Sequence, residues 1–489
     1  MHQLSHHIFR GTLWNLAGIS LSRGASILFT LFLANFLAPE AFGLIAMVMI
    51  VFDLAGVFVQ SGLGQALIQT KTIDSKDINT VFITNICFSL IAYAALYATA
   101  PIVASFYSQD ELTSLIRAMG IVVFINAAKT VHIAMLSREM NFKHQMKANT
   151  IGVLVSGIAA VIAAYLHAGV WSLVLQIILS SLVSTSVLWF STKWKPSNEF
   201  SYTSFSRLFR FGANLMAEGI ITVLYQNSYI LVVGRFFGVD VTGLYFFAKK
   251  LSNFASQQLT VAVQQAAFPA LSSLQDNDEF LRHKYRQIIQ LTMFAIAPVM
   301  LILAGLARHF FELLLDEKWL DAIPYFQLLC LVGMLFPLHA MSLNIMSVKG
   351  RSDLVLTTGI IKKSINIVLL ISAIPFGVIG IVTSQVIGSF IALIPNTYYS
   401  TKLINYDIKT QVYDASKPIL SAVISAISVW AIAHNYSEST LLLLVVMILV
   451  AIIIYLLMCF LFKVEGFNLL ATQIMKKFHL TMKNTGGNP

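Results

Sequence analysis

Three observations predict an all-α protein threaded many times through a lipid bilayer. The chain of 489 residues is 57% hydrophobic and 11% charged, and its mean hydropathy is +0.78. One soluble core cannot hide that much apolar surface. The apolar residues come in runs of about twenty, long enough to cross the hydrocarbon layer as helices that satisfy their own backbone hydrogen bonds. Most charges fall in the short links between those runs.

Taken in order, the runs lie at about 12–37, 42–64, 79–105, 112–136, 147–167, 169–191, 211–236, 241–270, 287–311, 322–348, 354–375, 377–399, 417–434 and 440–462, which makes about fourteen spans. The first follows His2, His6, His7 and Arg10. It is too long for a signal-peptide core and lacks a convincing cleavage site, so it is expected to stay as a span. The link after the second run carries Lys71 and Lys76, and the link after the fourth carries Arg138, Lys143 and Lys147. Lys193, Lys195, Arg207 and Arg210 follow the sixth, and Arg282, Lys284 and Arg286 the eighth. Lys349 and Arg351 follow the tenth, Lys402, Lys409 and Lys417 the twelfth, and Lys463, Lys476, Lys477 and Lys483 the last. The alternate links hold Glu40, Asp110, Glu111, Asp240, Glu312, Asp316, Glu317, Asp321 and Glu438, with Lys318 as their lone basic residue. The positive-inside rule therefore predicts a multi-pass protein with both termini and the basic links in the cytoplasm. The excess of 32 basic over 22 acidic residues reads as topology, with no nucleic-acid partner.

The chain also echoes itself. Phe9-Arg10 recurs as Phe209-Arg210, Phe36 as Phe236, Glu40 as Asp240 and Gly43-Leu44 as Gly243-Leu244, in one register about two hundred residues apart. Gly169-Val170 is matched by Gly377-Val378. This pattern predicts two parallel six-helix lobes, 1–195 and 196–400, followed by a trailing helix pair and tail, 401–489. A substrate cavity between such lobes is the expectation.

Few ionisable groups fall inside the spans, and each costs about 2.5–3.5 kcal/mol at mid-bilayer unless it is paired or hydrated. Those well away from the span ends are Arg23, Asp53, Lys129, Glu218, Lys249, Lys250, Lys362 and Lys363. Cations outnumber acids, so a water-filled positive cavity for a polyanion follows, with phosphate suited to Lys and Arg. A structural ion pair would equally explain Arg23 with Asp53, and snorkelling to the headgroups would explain Lys129 or Glu218. Asp53 and Glu218 are the candidates for coupling or ion pairing. Pro298, Pro337 and Pro395 permit helix bends, or serve packing alone. Cys87, Cys330 and Cys459 sit in apolar runs at unrelated spacings, as buried filler. No metal cluster, Gly-rich phosphate loop or Ser/His/Asp set is visible, so neither cofactor nor catalytic residue is expected.

Two motifs carry a family resemblance. The first is Phe36-Leu37-Ala38-Pro39-Glu40-Ala41-Phe42-Gly43-Leu44 with Gly62-Leu63-Gly64-Gln65-Ala66-Leu67-Ile68-Gln69, and the second is Leu136-Ser137-Arg138-Glu139-Met140-Asn141-Phe142-Lys143. From about residue 8 to 460 the chain resembles the polysaccharide transporter family of the multidrug, oligosaccharidyl-lipid and polysaccharide exporter superfamily, nearest its exopolysaccharide branch. The resemblance implies a V-shaped transporter that flips an undecaprenyl-diphosphate-linked oligosaccharide for exopolysaccharide, capsule or lipopolysaccharide synthesis. It also implies a proton or sodium ion as driver, and a polymerase and co-polymerase as partners. Basic residues lining the cavity would meet the diphosphate. The alternatives are a lipid II flippase or a multidrug antiporter of the same superfamily, although the latter would favour an acidic cavity. A membrane glycosyltransferase, ligase or polymerase is a further class. Asp276-Asn277-Asp278 has the spacing of a metal-bound sugar-nucleotide motif, but its link is too short for a nucleotide-binding domain, and a solvated loop is the better reading.

Overall fold

The computed structural model describes residues 2–192, 194–436 and 440–472, with side chains apart from those of 2–17, 19, 259 and 266. Lys193, Glu438, Lys476, Lys477 and Lys483, which entered the charge asymmetry, lie outside the described residues. Within them the chain forms sixteen α-helices: α1 (His2–Phe36), α2 (Pro39–Gln60), α3 (Leu63–Gln69), α4 (Ser75–Tyr107), α5 (Glu111–Arg138), α6 (Phe142–Tyr165), α7 (Trp171–Ser191), α8 (Tyr202–Phe237), α9 (Val239–Ser272), α10 (Asp278–Gly305), α11 (Ala307–Leu314), α12 (Ile323–Val348), α13 (Ser352–Ala373), α14 (Gly377–Ile404), α15 (Ile408–His434) and α16 (Leu441–Leu461). Apart from the short α3 and α11, these helices match in order the fourteen runs read from the sequence. Eleven described helical stretches are long and apolar enough to cross a bilayer, the α13–α14 region counting as one. The chain is therefore an all-α, multi-pass membrane protein.

Polar side chains close many of the helix starts. Asp74 forms a capping box with Asp77 before α4, while Asn277, Asp407 and Thr440 accept from the backbone N–H three residues on at the starts of α10, α15 and α16. Two departures from the sequence reading have local causes. The expected second span, 42–64, stops at Gln60, because Ser61 and Gly62 enter the left-handed region at φ 40 and 66, and the chain restarts as α3. The ninth run divides after Gly305, and Ala307–Leu314 becomes the separate α11.

The chain divides into two compact units, Met1–Phe246 and Phe247–Pro489. In the first, α6 packs on α1 and α7, α4 on α5, and α2 on α4, α5 and α8. Gly43 and Gly243, which echo one another in the sequence, meet in this unit. A Cβ on Gly43 would overlap the Val239 carbonyl oxygen, and one on Gly243 would overlap that of Pro39. Each glycine thus lies on the first residue of the other's helix, and two backbones cross where no side chain fits. Glu40 and Asp240 sit in the first turns of the same helices, where the helix dipole favours an acid.

In the second unit, α10 packs on α12 and α15, α14 on α12 and α13, and α15 on α16. Trp319, Phe247, Phe311 and Phe326 form a fully buried aromatic cluster. Each unit also carries one buried carboxylate tied to an arginine. Arg207 of α8 donates to Asp77 of α4 at 2.6 Å, across 130 residues of chain. Arg286 of α10 donates to Asp414 of α15 at 2.5 and 2.7 Å, across 128 residues, and Tyr406 adds a hydroxyl donor at 2.6 Å. The two latches span nearly equal stretches of chain, one within each unit, with the helices that supply acid and base exchanged in order.

Candidate functional site

Cations inside a membrane protein matter where they meet water, so the site is built from the cavities around them. In the first unit two cavities share Lys129 of α5 in their walls. The first, of about 440 Å³, lies among α1, α5, α6 and α7 and is lined by Ser22, Arg23, Ser26, Lys129, Gln145, Asn149, Ser180, Ser181 and Ser184, with Gly18, Met146 and Val153. Small residues make room for it. A Cβ on Gly18 would overlap the Met146 side chain, so α1 and α6 close tightly at one edge. Ser22 and Thr150 hydroxyls meet at 3.0 Å beside it. The lining holds two cations, many hydroxyls and amides, and no carboxylate. Such a wall suits an anion with several acceptor oxygens.

The second cavity, of about 490 Å³, lies among α2, α3, α5 and α8, with Gln60, Gln65, Asn126, Lys129, Thr130 and Glu218 among its lining residues. Here Lys129 shares the wall with an acid. Glu218 accepts from the Thr222 hydroxyl at 2.9 Å. Asn126 Oδ1 is buried without a protein donor, leaving acceptor capacity at this wall. The α2–α3 elbow shapes the floor. Gly62 approaches Gly212 so closely that a Cβ on Gly212 would overlap the Ser61 carbonyl oxygen. Arg138 then fixes α3, donating to the carbonyls of Leu67 at 2.7 Å, Ile68 at 3.2 Å, Thr70, and Lys71 at 3.2 Å. The two sequence motifs are thus one structural element, with an arginine from the second closing the helix formed by the first.

Of the residues singled out in the sequence, the structure brings Arg23, Lys129 and Glu218 to these two cavities. Asp53 of α2 instead accepts from Asn227 Nδ2 of α8 at 3.4 Å. Lys249 and Lys250 lie half-buried on α9, and Lys362 and Lys363 half-buried on α13, all in the second unit. Lys362 lies near His339 of α12. Sequence reasoning missed the neutral polar wall, notably Gln60, Asn126, Gln145 and Asn149. Amides within otherwise apolar runs were the available signal.

Comparison with known proteins decides the family. Residues 32–324 match the family model described as polysaccharide biosynthesis protein. The chain belongs to this family. Among its curated relatives is the lipopolysaccharide biosynthesis protein WzxC of Escherichia coli, 25% identical over 80% of this chain and 79% of that one. Another is the succinoglycan biosynthesis transport protein ExoT of Rhizobium meliloti, 26% identical over 68% of this chain and 67% of that one. Among solved structures, the lipid II flippase MurJ in an inward closed conformation aligns with a TM-score of 0.73 at 14% identity, covering 94% of this chain and 99% of that one. An inward-facing multidrug transporter of the MATE family aligns with a TM-score of 0.62 at 15% identity, covering 80% of this chain and 98% of that one. Both likenesses show the fold: many membrane-spanning helices arranged as in these two transporters.

Proposed function

We propose that this polysaccharide-biosynthesis protein carries an undecaprenyl-diphosphate-linked oligosaccharide repeat unit from the cytoplasmic to the outer leaflet of the inner membrane by alternating access. Both termini face the cytoplasm, a proton or sodium gradient drives the cycle, and a polymerase with its co-polymerase receives the cargo. The moving bodies are the lobes 1–195 and 196–400, with 401–489 as a trailing pair, and the recurrence of an ion-pair latch after each set of six long helices supports that division.

One observation carries the reading: Arg23 and Lys129 line one carboxylate-free cavity rich in hydroxyls and amides. Two cations on one polar wall offer a visiting diphosphate counter-charge and donors together, and the diphosphate supplies the matching charge and acceptors. Lys129 also lines the cavity that contains Glu218. An acid competing for the same ammonium would keep the anion from being held too tightly, which favours release. Lys249, Lys250, Lys362 and Lys363 are proposed to serve the same anion, and Asp53 to hold α8 through Asn227.

The test is polymer export from cells lacking the native gene, complemented by Arg23→Gln, Lys129→Gln or the double variant at equal membrane abundance. Loss of export with lipid-linked sugar accumulating on the cytoplasmic leaflet is expected. Normal export by the double variant would overturn the site. Accumulation of a different lipid-linked precursor would redirect the cargo.

A further inference from the structure

The second unit contains a buried polar cluster that cargo binding does not require. His339 of α12 has partners on both ring nitrogens: Nε2 lies 3.1 Å from Ser389 Oγ, and Nδ1 lies 2.9 Å from Asn396 Nδ2. Both partners belong to α14. They stand two turns apart on one face, with Pro395 between them. A proline removes one backbone hydrogen bond and bends a helix, so the imidazole ties together the two sides of a weak point.

An amide nitrogen only donates, so Nδ1 accepts from Asn396, and the ring proton sits on Nε2 facing Ser389. This leaves Asn396 Oδ1 without a donor among the described residues, although Asn396 is fully buried. An orphaned buried acceptor is costly. The arrangement has a natural second state. If the Nδ1 lone pair takes a proton from water, the ring becomes a cation with a new N–H. Rotation of the Asn396 amide by half a turn then presents Oδ1 to that N–H, and the orphan is satisfied. The bond across Pro395 reverses its direction while both helices keep a contact.

The charged surroundings are defined. Lys362 of α13 acts on His339 electrostatically, and Lys363 acts on Lys362. From α9 the neighbour is neutral Gln264, which donates to the Ala340 carbonyl at 3.4 Å, while Lys250 is fourteen residues back along that helix, about 21 Å at 1.5 Å per residue. From α10 the neighbour is Tyr285, next to Ser342 one turn further along α12. Beyond Asn396, α14 carries Tyr398, Tyr399 and Lys402 towards its end. Lys362 is thus the cation of α13 beside His339, and an anion drawn to Lys362 would come close to the imidazole.

We propose that His339 is a proton-binding site whose occupancy α14 reads through Asn396 across Pro395, and that Lys362 links this proton to an anionic cargo. The link to cargo rests on the transport reading above, whereas the proton site and its effect on α14 do not. Proton uptake then accompanies cargo binding, and the bend of α14 differs between the two states.

The test needs no cargo. Spin labels at Ile379 and Lys402, about 34 Å apart along a straight helix, are placed on the full chain in lipid nanodiscs after Cys87, Cys330 and Cys459 are replaced. Their distance distribution is followed by pulsed electron resonance from pH 8 to pH 4. The expected result is a shift on acidification that His339→Gln abolishes, because Gln hydrogen-bonds without titrating. Asn396→Asp, which fixes an anionic acceptor at Nδ1, is expected to raise the midpoint by about one pH unit or more. It also serves if the Gln variant fails to fold. No shift in the parent down to pH 4, the same shift in His339→Gln, or an unchanged midpoint in Asn396→Asp would each overturn the proposal. An intact pH response with normal export by the Arg23, Lys129 double variant would instead sink the cargo site and leave the proton site standing.

Discussion

Replacing Asp414 with Asn probes the stronger of the two latches. Its carboxylate is 2% exposed and receives two hydrogen bonds from Arg286, at 2.5 and 2.7 Å, and one from Tyr406 at 2.6 Å. Stripping the charge from a fully buried ion pair costs about 3–5 kcal/mol because the surviving partner stays buried. Arg286 is 34% exposed, so water rescreens it, and the lower end, about 3 kcal/mol, is expected. The Asp77–Arg207 latch has a single short bond, and its arginine is 55% exposed. Breaking that one should cost about 1 kcal/mol, close to an exposed pair. The assay is a double-mutant cycle in bicelles, with unfolding free energies from steric trapping of the single and paired variants Asp414→Asn with Arg286→Gln and Asp77→Asn with Arg207→Gln. A coupling at 286–414 near or below that at 77–207 would refute the claim that bond number and burial set the strength of the latch.

Further outcomes follow from the same geometry. Gly43→Val and Gly243→Val each drive a side chain into a carbonyl oxygen of the facing helix, so each should cost at least about 1–3 kcal/mol and reduce folded protein in the membrane; normal thermal stability in detergent would contradict the crossing. Arg138→Lys should weaken α3, since one ammonium cannot reproduce the guanidinium's bonds to four carbonyls, and amide exchange across 63–71 should rise while that of α6 stays constant. Asp407 caps α15 through Thr410 Oγ1 at 2.6 Å and Thr410 N at 3.1 Å, and these bonds hold its carboxyl below the ordinary carboxylate range. The cap is therefore complete above that range and is lost as pH falls through the lowered value; exchange at 408–411 should rise on acidification, and Asp407→Asn should remove that pH dependence. Cysteine at 316 should react with an impermeant thiol reagent applied to intact cells, and cysteine at 200 should not; the reverse pattern would invert the topology.

The spans were legible because a bilayer imposes one demand on every segment, about twenty apolar residues between polar links, and most long helices here meet it over most of their length. The break at Ser61 was not legible. Residues 42–64 are continuously apolar enough to read as one span, and left-handed φ at a serine leaves no mark in hydropathy. Gly43 and Gly243 stood out in the sequence, and the backbone crossing between them tolerates only glycine at each. The latches were hidden: Asp77 and Asp414 look like ordinary link charges until their arginines, far away in sequence, fold against them. The candidate site was half legible. Arg23 and Lys129 stand out as charges in apolar runs, but their shared cavity depends on serines, Asn149 and Gln145, whose neutral side chains do not interrupt a span. His339 escaped notice because a neutral imidazole costs a helix little, and what distinguishes it is its two partners on α14.

The long reach of the latches also sets a timetable for the growing chain. Asp77 enters the membrane region with α4, but Arg207 is made 130 residues later, about 7–26 s at ribosomal speeds. Arg286 likewise waits for Asp414, 128 residues on. During each interval a charge destined for a closed pair stands open at the membrane surface, available to headgroups, water or an insertion factor. The later helix of each pair, α8 or α15, closes that interval, so neither unit is latched until that helix has been made. A chain ended just before residue 202 and released from the ribosome should therefore have six long helices inserted yet still vulnerable to membrane proteases, and a chain released after residue 237 should be protected.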